Sequence, residues 1–268
     1  MANWFYLPRL TGLRISGEDA RAFAHAQFTS SFKSPAPGLW QLTSWCNPKG
    51  RVLFVILARS DEHHVDLILP AVQLAELAQR LKMYSIGRRV SLLELPQVAG
   101  AFSGADGAGA LAIDRRRSLQ LEPAQAHHDS EAAEQWRQHD LQAGIAWLNA
   151  ATSARFLPQS LGLEERGGLS YDKGCYPGQE IVARVHYLGK VKECLSGFRV
   201  EAGAAAVSAD VDQSDIVDQD GTAQGHVLCI LGEAGQQRGL AVVSAGLAAD
   251  AELRLGGAPV RLLEPESL

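Results

Sequence analysis

The segment Asn47-Pro48-Lys49-Gly50, set between two apolar runs, most restricts the folds open to this chain. Pro presets the first central dihedral of a β-turn, and Gly tolerates the exit geometry. The run Leu39–Trp45 before it and the run Arg51–Ala58 after it should therefore pair antiparallel. Within the second run, Val52–Ala58 is unbroken and apolar, which suits a buried strand and falls far short of a membrane span. The flanking sequence supplies more strands and two helices. Leu10–Ile15 reads as a strand, and Ser16-Gly17-Glu18-Asp19 resembles a capping box for a helix with Ala20, Phe23, Ala24 and Phe28 on one face. His64–Leu69 alternates Val65, Leu67 and Leu69; Pro70 opens a helix striped by Leu74, Leu77, Ala78 and Leu81; Arg89–Leu95 is again a strand. This order predicts an α+β fold with helices on one face of a mostly antiparallel sheet.

Periodicity fades after residue 98. The stretch 99–112 is rich in Gly and Ala and reads as a loop or as a weak strand and turn, and Asp114-Arg115-Arg116-Arg117 reads as a solvated turn. Ser130 is placed to cap a helix that carries Trp136 and stops at Gly144, and Arg155–Asp172 reads as loop. From Lys190 the character changes. Short apolar runs at Leu195–Val200, Gly225–Leu231, Gly239–Val243 and Ala258–Leu263, separated by Gly and Asp, predict a small β-barrel. The expected boundary lies within 188–194, dividing an α+β region 1–190 (with parts 1–98 and 99–190) from a barrel 191–268.

The chain has 268 residues and a net charge of −5, so no overall attraction to a polyanion is expected, and no direct nucleic-acid contact. Met1–Tyr6 shows no basic segment followed by an apolar core, and the expectation is a cytoplasmic protein without a membrane segment. Cys46, Cys175, Cys194 and Cys229 are far apart, with no C-x-x-C pair, so no stably bound metal is expected. The pairs His63-His64 and His127-His128 are weak signals, since neighbours on a strand point to opposite faces.

Chemistry concentrates in Lys173-Gly174-Cys175-Tyr176-Pro177-Gly178-Gln179-Glu180. Glu180–Val185 reads as a short helix with Gly178 as its cap, which sets Cys175 just before the positive end of a helix dipole. A facing Lys173 would favour the thiolate, the reactive form of cysteine. Gly174, Tyr176 and Gly178 are expected to shape the turn.

Residues 173–180 match the signature Lys-Gly-Cys-Tyr/Phe-x-Gly-Gln-Glu throughout, and the chain resembles the YgfZ family, a folate-binding group related to the glycine-cleavage aminomethyltransferase and linked to iron–sulfur protein maturation and tRNA modification. Leu13–Ala20, Asn47–Arg51, Phe156-Leu157-Pro158-Gln159 and Val182-Ala183-Arg184 resemble other elements of that family. The resemblance implies an aminomethyltransferase-like folate-binding body followed by a β-barrel. It implies tetrahydrofolate or a derivative as cofactor, iron–sulfur client or assembly proteins as transient partners, and a thiol needed for function at Cys175, with Lys173 beside it. Trp136 aligns with a folate-contacting tryptophan through Gln135, Trp136, Ala143 and Gly144. Gln159, Gln179 and Glu180 are candidate polar groups for the ligand, and Lys49, Arg51 and Arg184 are candidate cations for its glutamate tail. The alternatives are a tetrahydrofolate-dependent aminomethyl- or methyltransferase, against which the Lys-Gly-Cys-Tyr element argues, and a thiol-redox protein. No catalytic aspartate of the transferase kind is identified; Asp66 is only a nearby carboxylate.

Overall fold

A computed structural model describes residues 3–33, 38–102, 109–112, 114, 116–201, 207, 215–233, 235–247 and 251–267. In chain order the elements are β1 (Phe5–Tyr6), β2 (Leu10–Ser16), α1 (Ala20–Gln27), β3 (Gln41–Cys46), β4 (Val52–Ser60), β5 (His64–Pro70), α2 (Leu74–Tyr84), β6 (Ser91–Leu95), β7 (Val98–Phe102) and β8 (Arg117–Leu121). Then come α3 (Ser130–Gln142), α4 (Gln179–Leu188), β9 (Glu193–Val200), β10 (Asp215–Val217), β11 (Ala223–Leu231), β12 (Arg238–Ser244), β13 (Leu253–Leu255) and β14 (Ala258–Leu263). They form a five-stranded sheet in the order β3-β4-β5-β2-β6, a three-stranded sheet β1-β7-β8, and a closed barrel β10-β11-β12-β9-β14-β13.

The hairpin forms as the turn residues require: β3 and β4 are antiparallel, with Thr43 opposite Ile56 and Trp45 opposite Phe54. The unbroken apolar run on β4 has a direct cause. Leu53, Phe54, Ile56 and Ala58 belong to a core shared with α1 and α2, including Phe23, Leu77 and Leu81. Val52, Val55 and Leu57 belong to a second core that reaches Trp136, Phe156 and the barrel residues Leu228 and Leu240. A sheet buried on both faces needs apolar residues at successive positions, not alternate ones. The expectation of helices on one face is met on that face; the other face is covered as well, so body and barrel share a core.

Register also explains a buried charge. Arg14 and Arg59 lie opposite Asp66 on the strands that flank β5. Asp66 is fully buried and accepts from Arg14 Nε at 2.6 Å, Arg14 Nη2 at 3.0 Å and Arg59 Nη2 at 3.1 Å. A carboxylate held by two guanidiniums is a structural tie, and it is not free to act as a base.

Two helix caps differ from expectation. Asp19 precedes α1 but makes no side-chain cap; its carboxylate accepts the Arg89 N–H instead, at 2.9 Å. For α3 the cap is Asp129, whose carboxylate accepts from Ala132 N–H at 2.9 Å, and Ser130 is the first helical residue. Residues 99–102 continue a strand; residues 103–108 of the Gly/Ala-rich stretch, and Arg115 of the basic turn, lie outside the described residues.

Candidate functional site

Three segments far apart in sequence close on one another. In the β3–β4 turn, Asn47 Oδ1 accepts from Lys49 N–H at 2.9 Å and Arg51 N–H at 3.1 Å, and Gly50 takes a φ of +72°. Against this turn lies Gly178, the N-cap of α4, with a φ of +79°. A methyl group at Gly178 would fall 2.6 Å from Gly50 Cα and 2.7 Å from Gly50 N. Glycine is therefore required at 178 twice over, for its left-handed dihedral and for backbone-to-backbone contact. The third segment docks through main chain: Val52 N–H donates to Phe156 O at 2.8 Å, and Ala154 N–H to Val52 O at 2.8 Å. Gln159, buried beneath α4, donates to Val182 O at 2.9 Å and to the Tyr171 hydroxyl at 3.1 Å.

The signature loop is pinned on both sides of the cysteine. Lys173 is buried, and its ammonium donates to the carbonyls of His25 at 2.5 Å, Ser30 at 2.9 Å and Phe28, at and just beyond the end of α1. Its Nζ also lies 5.0 Å from the Tyr176 ring centroid. Burial pushes the Lys173 pKa down to about 7, against which the carbonyl oxygens favour the charged form. Tyr176 is buried as well, and burial raises its phenol pKa. Between these inward anchors, Gly174 and Cys175 are exposed. This corrects the expected role of Lys173. All three of its N–H donors go to carbonyls, none to Cys175 Sγ, because the end of α1 offers acceptors that the protein must satisfy. Lys173 is a positioning residue for the loop.

The other thiols sit differently. Burial pushes Cys46 up to about 12 and Cys229 up to about 11. Cys194 is raised by partial burial and by Glu264 and Glu165.

Trp136 is corrected more strongly. It is 1% exposed. The Arg117 guanidinium lies 4.7 Å from its ring centroid, Phe5 meets it edge-on at 6.1 Å, and Phe102 lies at 5.9 Å. A Cβ at Gly100 would come within 2.6 Å of Trp136 Cζ3. The ring has no open face on which a pterin could stack, so Trp136 is a core anchor of α3. Gln159 has spent its donors on Tyr171 and Val182, and its Oε1 is buried without a partner among the described residues. Those two residues, foreseen for a pterin ring and its edge, do not fit one. Gln179 is half-buried and donates to Lys173 O at 3.4 Å, while Glu180, Arg184 and Lys49 are exposed.

Arg51 opens onto a cleft of about 550 Å³ between the hairpin, the end of α4 and the start of the barrel. Phe156, Leu157 and Val185 give it apolar walls, and Arg155, Lys190 and Lys192 join Arg51 as cations. The sequence reading missed these last three cations. Lys190-Val191-Lys192 carried a signal, since extended residues two apart point the same way; Arg155 carried none.

No family model matches the chain. A protein of Haemophilus influenzae described as uncharacterized is 30% identical over 210 residues, 75% of this chain and 75% of that protein. The tRNA-modifying protein YgfZ of an Enterobacter species is 28% identical over 218 residues, covering 68% of this chain and 67% of the relative. Among solved structures, the glycine cleavage system aminomethyltransferase T of Bartonella henselae matches with a TM-score of 0.76 at 11% identity, over 100% of this chain and 86% of that one. That likeness establishes a shared fold.

Proposed function

The chain belongs to the YgfZ family, and on that premise we propose that it is an accessory protein of tRNA modification whose working group is the Cys175 thiol. One observation supports this reading above the rest: the signature loop buries Lys173 and Tyr176 and turns Gly174 and Cys175 outward. A thiol presented on a pinned loop can meet a partner protein without the loop having to order first. As a thiolate, Cys175 would attack a partner's disulfide, forming a mixed disulfide and releasing the partner's other sulfur as a thiolate. It would equally supply one ligand to an iron–sulfur cluster whose other ligands come from a client. Its clients, in this reading, are iron–sulfur enzymes that modify tRNA. Tetrahydrofolate belongs to the reading through kinship. Trp136 and Gln159 do not fit the pterin, so the thiol carries the proposal by itself.

The test is complementation of a deletion strain. Cys175→Ala should be produced and folded like wild type, yet leave the activity of the iron–sulfur tRNA-modifying enzymes at the level of the deletion. Full restoration of those activities by Cys175→Ala would refute the proposal.

A second reading, a thiol-redox protein without folate, gains from the covered Trp136 ring. Calorimetry separates the two: tetrahydrofolate binding favours the first, and its absence together with rapid reaction of Cys175 with a disulfide probe favours the second. The transferase reading loses support because Asp66 is saturated by Arg14 and Arg59.

A further inference from the structure

We propose that the cleft beside α4 holds the phosphodiester backbone of a single-stranded RNA segment. Cys175 is not among the residues that line this cleft. The chain as a whole carries −5, yet Arg51, Arg155, Lys190 and Lys192 line this one hollow, with Glu193 as the carboxylate among its lining residues. None of the four cations makes an ion pair among the described residues, Glu193 included. Unneutralised like charges in a cleft with low-dielectric walls repel one another and concentrate anions.

Two of the cations are held in place. Arg51 Nη1 donates to Arg155 O at 2.9 Å. Arg155 Nη1 lies 3.1 Å from His226 Nε2, and His226 Nδ1 lies 2.7 Å from Asp215 Oδ1. A guanidinium can only donate, so Nε2 is the acceptor and the imidazole proton sits on Nδ1, directed at the carboxylate. This chain runs from the body loop into the barrel and fixes Arg155 across the seam. Lys190 and Lys192 are exposed, on long flexible stems. A hydrogen-bonded guanidinium pair and two exposed ammonium groups on long stems, lining one cleft, suit a succession of phosphates whose spacing varies with conformation.

The surroundings favour RNA over an acidic peptide. Phe156, Leu157 and Val185 offer apolar contact inside the cleft. At the end of α4, immediately before the lysine pair, Tyr187 is 65% exposed and edge-on to His186, with ring centroids 4.7 Å apart. His186 in turn stacks on Tyr171 at 3.8 Å. Cations that track a backbone, with an exposed aromatic three residues before Lys190 in the chain on which a base can stack, are the two parts of a single-strand site. A glutamate chain would use the cations and leave the aromatic idle.

The test is fluorescence anisotropy of the full chain with a labelled single-stranded RNA of roughly 10 nucleotides. Binding should saturate, and Lys190→Ala combined with Lys192→Ala should weaken it about 10-fold or more at low salt while flattening the log K against log salt slope by about 1.4. Arg155→Gln is the second variant and should also weaken binding; circular dichroism checks that each variant is folded. The proposal is overturned if the RNA shows no saturable binding, if folded variants bind as wild type does, or if a glutamate oligomer of equal charge binds as tightly as the RNA.

Discussion

Cys175 and Trp136 present opposite outcomes of similar sequence evidence. Each matches a family position, and each was a candidate for direct chemistry. Cys175 stands exposed on a loop held by Lys173 and Tyr176, whereas Trp136 is enclosed by Arg117, Phe5, Phe102 and the bare backbone of Gly100. The cysteine's turn is shaped by glycines next to it in sequence, and its outward position is fixed by Lys173 on the distant carbonyls of His25, Phe28 and Ser30 and by the buried Tyr176. The tryptophan's setting is made by β1, β7 and β8, all well upstream of it. The motif supplies the turn and the inward anchors that leave Cys175 outside, whereas the helix residue Trp136 is closed by side chains from other strands.

The largest expected effect that would break this contrast lies at Trp136. Trp136→Ala should cost about 3–5 kcal/mol of stability in urea unfolding, the scale of a large aromatic removed from a packed core. If stability held and only tetrahydrofolate affinity fell, the ring would be a ligand contact and the contrast would fail. Lys173→Met should come next, at about 2–3 kcal/mol, because it strands the carbonyls of His25, Phe28 and Ser30. Its pH dependence sharpens the point. Burial lowers the Lys173 pKa from the usual 10.5 to about 7, so between those values the unfolded chain binds the additional proton. The stability of wild type relative to Lys173→Met should therefore rise with pH through that window and level off above it; a flat difference from about pH 7 to about pH 9 would show that the ammonium stays charged inside. The smallest effect is kinetic. Native-state alkylation near neutral pH should label Cys175 first, then Cys194, and Cys229 and Cys46 slowest, because burial raises the last two to about 11 and about 12. Equal labelling of Cys175 and Cys194 would remove the distinction between the signature thiol and an ordinary exposed one.

Much of the fold was legible because its signals are local. The turn at Asn47–Gly50, the alternation in Val65–Leu69, the stripe on α2 and the Gly- and Asp-punctuated runs of the barrel each depend on residues within a few positions of one another. The caps were less so. Asp19 had a local partner available, yet its carboxylate went to Arg89, 70 residues away. The cleft was least legible. Arg51, Arg155 and Lys190 belong to three separate segments, and their meeting depends on how the hairpin, the loop after α3 and the lead into the barrel pack together.

From the order of its residues alone, the chain settled its longer strands, its main helices, its hairpin and the glycine turn around Cys175, since short-range sterics and periodic burial govern each of these. Only the packed structure decided which faces stayed open. It closed Trp136, turned Lys173 inward and gathered the cations beside α4, because burial and charge balance depend on neighbours that sequence distance does not reveal.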